Sequence, residues 1–533
     1  MIRQLTLSLT MAIALASALP TTVSAQGASD EMVLEEVIVT AVRRETGLME
    51  TPVAVSAFDQ DTLAREGVNN LVNIGSLVPN MQVGLSPSDS GVQIALRGIT
   101  SNNFTELGDP TVGIHVDGMY SPRPQGALAL LYDVERIDIM RGPQGTLFGR
   151  NSTSGTINII TSRPDTNEFG GSVEVELGNY SNVATRGWLN IPAGDKVAFR
   201  ASFMSQQMDT YLNQYMEEYD LDWDVDGDGR TDGPNDVPAD GIPNTDQRRN
   251  YKQSDSEAYG SIDRWGARLS ARFMPTDRID WILTYDHFQD NSPGVPFLKD
   301  CEKAKGTFFE CDHPLFDLRV NTPGELDMSI KTIRSEFLWD ATDWFSVEYR
   351  YAYAEQDRSQ LFDQDAGAFP DPDHPGYGID IDGALFGGVR GWMIRDEQAF
   401  YDLGFQPRAL QPFEDLALET EYSHYKSQVH DLIIKSEGDS RLQWLAGFFY
   451  LEEDNEIKFN VEIPWCCGFI RPLAQSFVQP KRTVESEAVF AQFDFAVNDL
   501  LNITAGYRHT WDEKADIGGS NHQTTGYWVN PGL

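Results

Sequence analysis

Apolar and polar residues alternate with a period of two in several stretches after Pro164. The segment 345–353 reads FSVEYRYAY, and 173–177 (VEVEL), 264–273 (RWGARLSARF) and 501–508 (LNITAGYR) repeat the pattern. Period two predicts β-strands with one apolar and one polar face. A strand length of about ten residues is what a tilted membrane strand needs. The pattern therefore favours a membrane β-barrel, with its apolar face toward lipid, over a soluble sandwich.

The connections between these strands alternate between short and long. Short turns are predicted at Pro192–Asp195, Pro275–Asp277, Asp340–Asp343, Glu437–Ser440 and Val497–Leu500, and long polar loops near Met208–Gly260, Gln289–Leu326, Glu355–Tyr425 and Asp454–Thr483. Short turns at one end and long loops at the other are typical of outer-membrane barrels. We count roughly eleven strands between Gly171 and Trp511, whereas plugged outer-membrane barrels have about 22. We therefore expect about half of a barrel, whose first and last strands do not pair with each other.

The N-terminus predicts export. Arg3 precedes the apolar run Leu5–Leu19, and Val23-Ser24-Ala25 forms a small-residue cleavage site. This is the pattern of a secretory signal peptide over residues 1–25, and the apolar run is too short for a membrane anchor.

Composition and charge exclude several classes of function. The net charge is −40, so the chain will not bind nucleic acid through phosphates. Among the eight histidines there is no HExxH motif, and no G-x-S-x-G elbow occurs, so we do not expect an enzyme. Of the four cysteines, Cys301 and Cys311 are spaced to close one loop, whereas the pairing of Cys466 and Cys467 stays open.

A glycine-rich stretch, Val134–Thr161, lies before the alternating segments. It contains Gly142, Gly145, Gly149 and Gly155 between two strand-like runs, but no Gly-Lys-Ser/Thr ending that would indicate a phosphate site. Upstream, a strand is predicted at 53–58 and helices at 59–65 and 70–77. Residues 51–165 are therefore predicted to form a small α+β domain.

Four motifs in this region resemble the plug domain of TonB-dependent outer-membrane receptors. They are IALRGI (94–99), VDGMY (116–120), ERIDIMRGPQGTLFG (135–149) and GTINIIT (155–161). The resemblance implies a transmembrane antiparallel β-barrel over residues 170–533, filled by the plug. It also implies a location in the outer membrane, in contact with its lipid.

The segment Glu35–Ala41 (Glu35, Glu36, Val37, Ile38, Val39, Thr40, Ala41) resembles the TonB box of that family. It lies in the periplasmic segment 26–50. The box pairs as an added strand with TonB, the periplasmic energy-coupling protein, through main-chain hydrogen bonds. An ordinary edge strand is the alternative interpretation.

The resemblance also suggests a contact between plug and barrel. In the family, the arginines of the two Arg-Gly motifs, here Arg97 and Arg141, face barrel glutamates. Glu174 and Glu176 lie on the polar face of the first strand and are the candidate partners. Alternatively, the two arginines are solvated turn residues.

An acidic loop is the one metal candidate. In Asp224–Asp236, carboxylates occupy relative positions 1, 3, 5 and 9, and glycine occupies position 6, as at the start of a calcium loop. The candidate ligands are Asp224, Asp226, Asp228, Asp232 and Asp236. We expect a structural Ca²⁺ in an extracellular loop and no required cofactor, the alternative being a solvated acidic loop.

The function implied by the resemblance is energy-coupled uptake of a scarce small-molecule ligand. Ferric siderophores, cobalamin and other small organic compounds all remain open. A signalling receptor would carry a further domain between signal peptide and box, where Gln26–Leu34 leaves no room. A passive porin or a calcium-dependent surface protein is the remaining alternative, and the plug motifs argue against an open pore.

Overall fold

The computed structural model describes residues 38–39, 43–44, 46–47, 51–68, 71–85, 92–101, 108–123, 131–219, 248–296, 298, 314–320, 322–363, 417–438, 440–463, 473–498 and 500–524. The predicted signal peptide lies outside these residues. No helix in the described ranges is long and apolar enough to cross a membrane.

The plug is a small α+β unit, as predicted. Its strands are β1 (Ile38–Val39), β2 (Thr46–Gly47), β3 (Ala54–Asp59), β4 (Met81–Leu85), β5 (Val92–Leu96), β6 (Val112–Val116), β7 (Met119–Ser121), β8 (Val134–Arg141) and β9 (Gly155–Thr161). Its helices are α1 (Gln60–Arg65), α2 (Leu71–Leu77) and α3 (Gly145–Phe148). The main plug sheet has the order β3-β8-β9-β6-β7, and β4 pairs with β5 in a separate hairpin.

The plug core follows from the β-branched pattern of these strands. Ile114, Ile137, Ile139, Ile157 and Ile159 are all buried at the centre of the sheet. They form one apolar cluster with residues of α1, α2 and the β4–β5 hairpin. Burial of such side chains is the main stabilising contribution to a domain of this size.

The alternating segments form one large antiparallel sheet. Its eleven strands are β10 (Gly170–Leu177), β11 (Val183–Pro192), β12 (Val197–Met208), β15 (Ile262–Thr276), β16 (Ile279–Asp290), β18 (Glu325–Thr342), β19 (Phe345–Asp363), β20 (Ala417–Ser436), β21 (Leu442–Ile463), β22 (Leu473–Asn498) and β23 (Leu501–Thr524). All five predicted short turns connect neighbouring strands of this sheet. As expected, β10 and β23 are not hydrogen-bonded to each other.

The two faces of the sheet differ as the alternation predicts. On β16, Trp281, Leu283 and Tyr285 are exposed, whereas Thr284 and Asp286 are buried against the plug side. An apolar outer face and a polar inner face are the arrangement of a membrane barrel. The inner face also contributes apolar side chains to a second cluster, in which Phe148 and Met119 of the plug pack with Val429, Phe449 and their neighbours on β19–β22.

Three strands from the long connections form a separate sheet. β13 (Asn213–Tyr219), β14 (Arg248–Lys252) and β17 (Asp317–Val320) are ordered β14-β13-β17. Their core packs on Tyr259 and Phe362, at the long-loop end of the large sheet. The loops predicted as plain polar segments thus include regular structure.

Candidate functional site

Ion pairs join the plug to the inner face of the large sheet. The plug contributes the carboxylate in three pairs, which are Asp133–Arg200, Asp117–Arg334 and Asp109–Lys514. It contributes the guanidinium in the other three, which are Arg163–Glu336, Arg43–Asp431 and Arg123–Glu453. These contacts occur on β12, β18, β20, β21 and β23. The plug is therefore anchored at several places across the large sheet, whose inner face is called the wall below.

On β12 and β15, the contact with the plug combines an ion pair with the packing of an aromatic ring. Nε and Nη2 of the Arg200 guanidinium donate to the carboxylate of Asp133, at 2.8 and 2.6 Å. Arg268 donates to the backbone oxygen of Tyr132 at 3.0 Å and lies 4.8 Å from the ring centroid of that tyrosine. Gly266 makes room for the ring, because a Cβ atom there would lie 3.1 Å from Tyr132.

A chain of buried charges continues from this contact along the wall. Asp286 accepts hydrogen bonds from Arg268 at 2.7 Å and from Arg334 at 2.8 Å, and all three side chains are almost fully buried. The second guanidinium nitrogen of Arg334 pairs with Asp117 of the plug. Removing one partner of a buried pair leaves an uncompensated charge, so each charge fixes the position of the next.

Asp117 and Gly118 form the tight turn between β6 and β7. Their φ angles are +50° and +75°, and φ is positive at both central residues of a two-residue hairpin turn of this type. The Asp117 carboxylate accepts hydrogen bonds from the backbone N–H and hydroxyl of Thr161 at 2.8 and 2.9 Å. The N–H of Gly118 donates to Asn158 at 3.1 Å. The turn is thus held by the plug as well as by Arg334.

Arg43 and Arg44, which follow the predicted TonB box after one intervening residue and are called the linker below, attach this segment to the plug and the wall. Arg43 donates to the backbone oxygen of Gly118 at 3.0 Å and pairs with Asp431 of β20 at 3.0 Å. Arg44 donates to the backbone oxygens of Ser436 and Trp444 at 2.7 and 2.6 Å, where β20 ends and β21 begins.

His115 lies inside the plug beside this site. Its ring is fully buried, 5.0 Å from the Phe148 ring, and one ring nitrogen lies 3.3 Å from the oxygen of Gly118. Burial, together with the positive charge of Arg43, lowers the pKa of His115 well below its usual range. The imidazole is therefore neutral at physiological pH.

The predicted plug–barrel pairs need a correction. Arg97 is exposed and Arg141 is half-buried, whereas Glu174 and Glu176 both pair with Arg186, at 3.1 and 3.2 Å. The physical reason is register, because Glu174 lies directly opposite Arg186 on the neighbouring strand. Arg163 and Glu336, at 2.9 Å, make a contact of the expected kind instead.

Several other predicted residues lie outside the described ranges. Of the predicted TonB box, only Ile38 and Val39 are described, as the short strand β1. All five aspartates of the acidic loop and all four cysteines lie outside them. In the described ranges, no group of three or more His, Cys, Asp or Glu side chains is placed to hold a metal ion.

The residues that sequence analysis missed were present as weak signals. Arg43-Arg44 is a basic pair directly after an apolar, strand-like segment, and Asp117-Gly118 is a turn dipeptide between two strands. Arg268 and Arg334 occupy inner-face positions of the alternating pattern. None of these signals indicates which residue the side chain contacts in the folded protein, because the contacted residues are far away in the sequence.

Comparison with known proteins agrees with this arrangement. Residues 47–156 match the family model for the TonB-dependent Receptor Plug Domain. This match identifies a plug domain of the TonB-dependent receptor type in the chain. The plug domain and the large sheet with its apolar outer face together indicate a location in the outer membrane.

Two curated relatives match the plug region of the receptor. The pesticin receptor of Yersinia pestis is 35% identical over 106 residues, which are 19% of this chain and 15% of the relative. The vitamin B12 transporter BtuB of Vibrio vulnificus is 30% identical over 173 residues, which are 32% and 27% of the two chains.

A solved structure matches over a longer range. The ferric yersiniabactin uptake receptor FyuA from Yersinia pestis superposes with a TM-score of 0.60 at 16% identity, covering 88% of this chain and 60% of that one. At this identity the match shows the fold. The receptor chain spans less than two thirds of the length of each of these proteins.

Proposed function

We propose that this receptor takes up a scarce small ligand across the outer membrane, using energy delivered by TonB to the box Glu35–Ala41. The observation that carries the proposal is the attachment of the segment after the box. Arg43 binds both the plug, at Gly118, and the wall, at Asp431. A pull on the box would therefore be transmitted directly to the plug.

The proposed ligand is a ferric siderophore, cobalamin or another small organic compound. Two relatives support this range by name, one as a ferric yersiniabactin uptake receptor and one as a vitamin B12 transporter. The ligand would bind on the long-loop side of the plug, where Arg123, Glu453 and Tyr425 meet.

Deletion of residues 35–41 tests the proposal. Cells that produce the receptor with and without the box are supplied with ⁵⁵Fe-labelled ferric siderophores and ⁵⁷Co-labelled cobalamin. We expect accumulation of at least one compound that a protonophore abolishes, and no accumulation with the deletion variant. Uptake that persists without the box would indicate a passive porin.

A further inference from the structure

A cavity of about 40 Å³ lies between the plug and strands β18–β20, at the place proposed above for the ligand. The plug lines it with Met119–Arg123. The wall lines it with the apolar side chains of Ile330, Ala352 and Val429 and with polar ones that include Gln356. A space of this size holds more than one water molecule or a small group of a ligand, because one water needs about 10–15 Å³.

Gln356 of β19 carries a buried amide in this cavity. Only 2% of the residue is exposed, and among the described residues its Nε2 has no hydrogen-bond partner. Gln356 lies directly opposite Tyr425 on β20, whose ring packs on the guanidinium of Arg123 at 5.0 Å. A buried N–H without an acceptor is destabilising. A molecule that enters the cavity and accepts this hydrogen bond is therefore stabilised there.

The charges around the cavity are already balanced by the protein. Each charged side chain of the lining has a partner of opposite sign, in the pairs Arg123–Glu453, Arg334–Asp117, Arg334–Asp286 and Glu355–Lys426. An anionic group placed here would meet no uncompensated cation among the described side chains, and taking its charge out of water would be costly. An uncharged group avoids that cost.

We propose that this cavity is a subsite for an uncharged amide group of the ligand. This inference rests on the proposed uptake function and names the class of ligand. A side-chain amide offers both a donor and an acceptor, so a second amide is its natural counterpart. The carbonyl oxygen of the ligand accepts from Nε2 of Gln356, and the adjoining small apolar part packs on Ile330, Ala352 and Val429. Compounds with peripheral carboxamides or a peptide backbone fit this site, whereas polyanionic chelates without an amide do not.

Equilibrium binding to outer-membrane vesicles tests the subsite without requiring uptake. Vesicles from cells with and without the receptor are incubated with ⁵⁷Co-labelled cyanocobalamin or ⁵⁵Fe-labelled ferrichrome, both of which carry uncharged amides. The contrasting probe is ⁵⁵Fe-labelled ferric citrate, an anionic chelate without an amide. We expect receptor-dependent, saturable binding of at least one amide compound and none of ferric citrate. Binding of ferric citrate, or of neither amide compound, would overturn the proposal. Binding without energy-dependent accumulation would instead reject only the uptake function.

Two variants test the role of Gln356. Gln356→Leu removes the amide at similar side-chain size. Ser423→Ala is the matched control, because Ser423 is also fully buried on the wall and its hydroxyl also has no partner among the described residues, but it does not line the cavity. We expect Gln356→Leu to raise the dissociation constant of the amide compound roughly tenfold or more, and Ser423→Ala to leave it unchanged.

Neither substitution removes a hydrogen bond within the described structure, so both variants should fold, and their thermal midpoints of unfolding check this. Gln356→Met carries the test if the leucine variant does not fold. An unchanged dissociation constant in the folded Gln356 variant would mean that only water occupies the cavity, and would overturn the proposal.

Discussion

Arg43 lies 3.0 Å from the carboxylate of Asp431, and less than a tenth of either side chain is exposed. The pair joins the linker after the predicted TonB box to the middle of a membrane strand. A buried pair of this kind is costly to break from one side only, by about 3–5 kcal/mol. The pair therefore contributes to the free energy that holds the linker in place before any force acts on the box.

Replacing one partner of this pair should loosen the linker. We expect Arg43→Met to destabilise the linker and β20 near Asp431, which is left buried and unpaired, and to speed backbone amide exchange in Val429–Ile433. The double variant Arg43→Met/Asp431→Leu should recover most of the protection, because an apolar pair replaces the ion pair. Exchange in Arg43→Met as slow as in the unmodified receptor would contradict the role of the pair.

The predicted box can be tested by a single proline. Ile38→Pro removes a backbone donor and blocks strand addition by TonB. We expect unchanged ligand binding and loss of uptake, measured with the labelled siderophores and cobalamin named above. Ile38→Val keeps the donor and is the matched control. Normal uptake by the proline variant would reject the box assignment.

The corrected plug–barrel contact predicts a contrast between glutamates. Glu336→Gln weakens the pairing of Arg163 and Arg350, both of which contact this buried carboxylate. Glu174→Gln affects only an exposed pair with Arg186, and such pairs contribute about 0–1 kcal/mol. We expect Glu336→Gln to lower the thermal midpoint of unfolding. The decrease caused by Glu174→Gln should be much smaller. A larger effect of Glu174→Gln would restore the original prediction.

The buried His115 predicts a pH dependence of plug stability. In the unfolded chain the His115 imidazole has its ordinary pKa of about 6.5, whereas its pKa in the folded plug is well below that value. The unfolded state therefore binds more protons below about pH 6.5, so the free energy of unfolding falls as the pH falls through this region. His115→Asn, which keeps an N–H for Gly118, should flatten this dependence, measured by amide exchange in β6 between pH 7.5 and about 5. An unchanged slope would exclude His115 as the source.

The acidic loop predicts calcium binding. We propose that its ligands are Asp224, Asp226, Asp228, Asp232 and Asp236, so isothermal titration of the receptor with CaCl₂ should show a site. Asp226→Asn/Asp228→Asn should raise the dissociation constant for Ca²⁺ by roughly tenfold or more, because a loss of about 1.4 kcal/mol of binding free energy is already tenfold. The matched control is Asp327→Asn, on a different segment of the long-loop side. Titration curves that are identical for the receptor and the double variant would indicate a solvated loop.

The sequence by itself determined the strands, the short turns and the class of the two domains. These features depend on local properties: side-chain alternation places one face of each strand in lipid, and turn residues end it. The four plug motifs indicated the plug domain for the same reason, because each motif is a short continuous stretch. The prediction was poorer for the long connections, where β13 pairs with β14 of the same connection and with β17 of the next one.

Only the tertiary structure decided which charges meet. Glu174 was placed correctly on a strand, but the strand register gave it Arg186 as partner instead of a plug arginine. Arg334 finds Asp117, and Arg43 finds Asp431, because folding brings the plug against a particular part of the wall. A charged side chain has no local preference among partners of opposite sign. Burial makes a partner obligatory, and the packing of plug on wall determines which one is within reach.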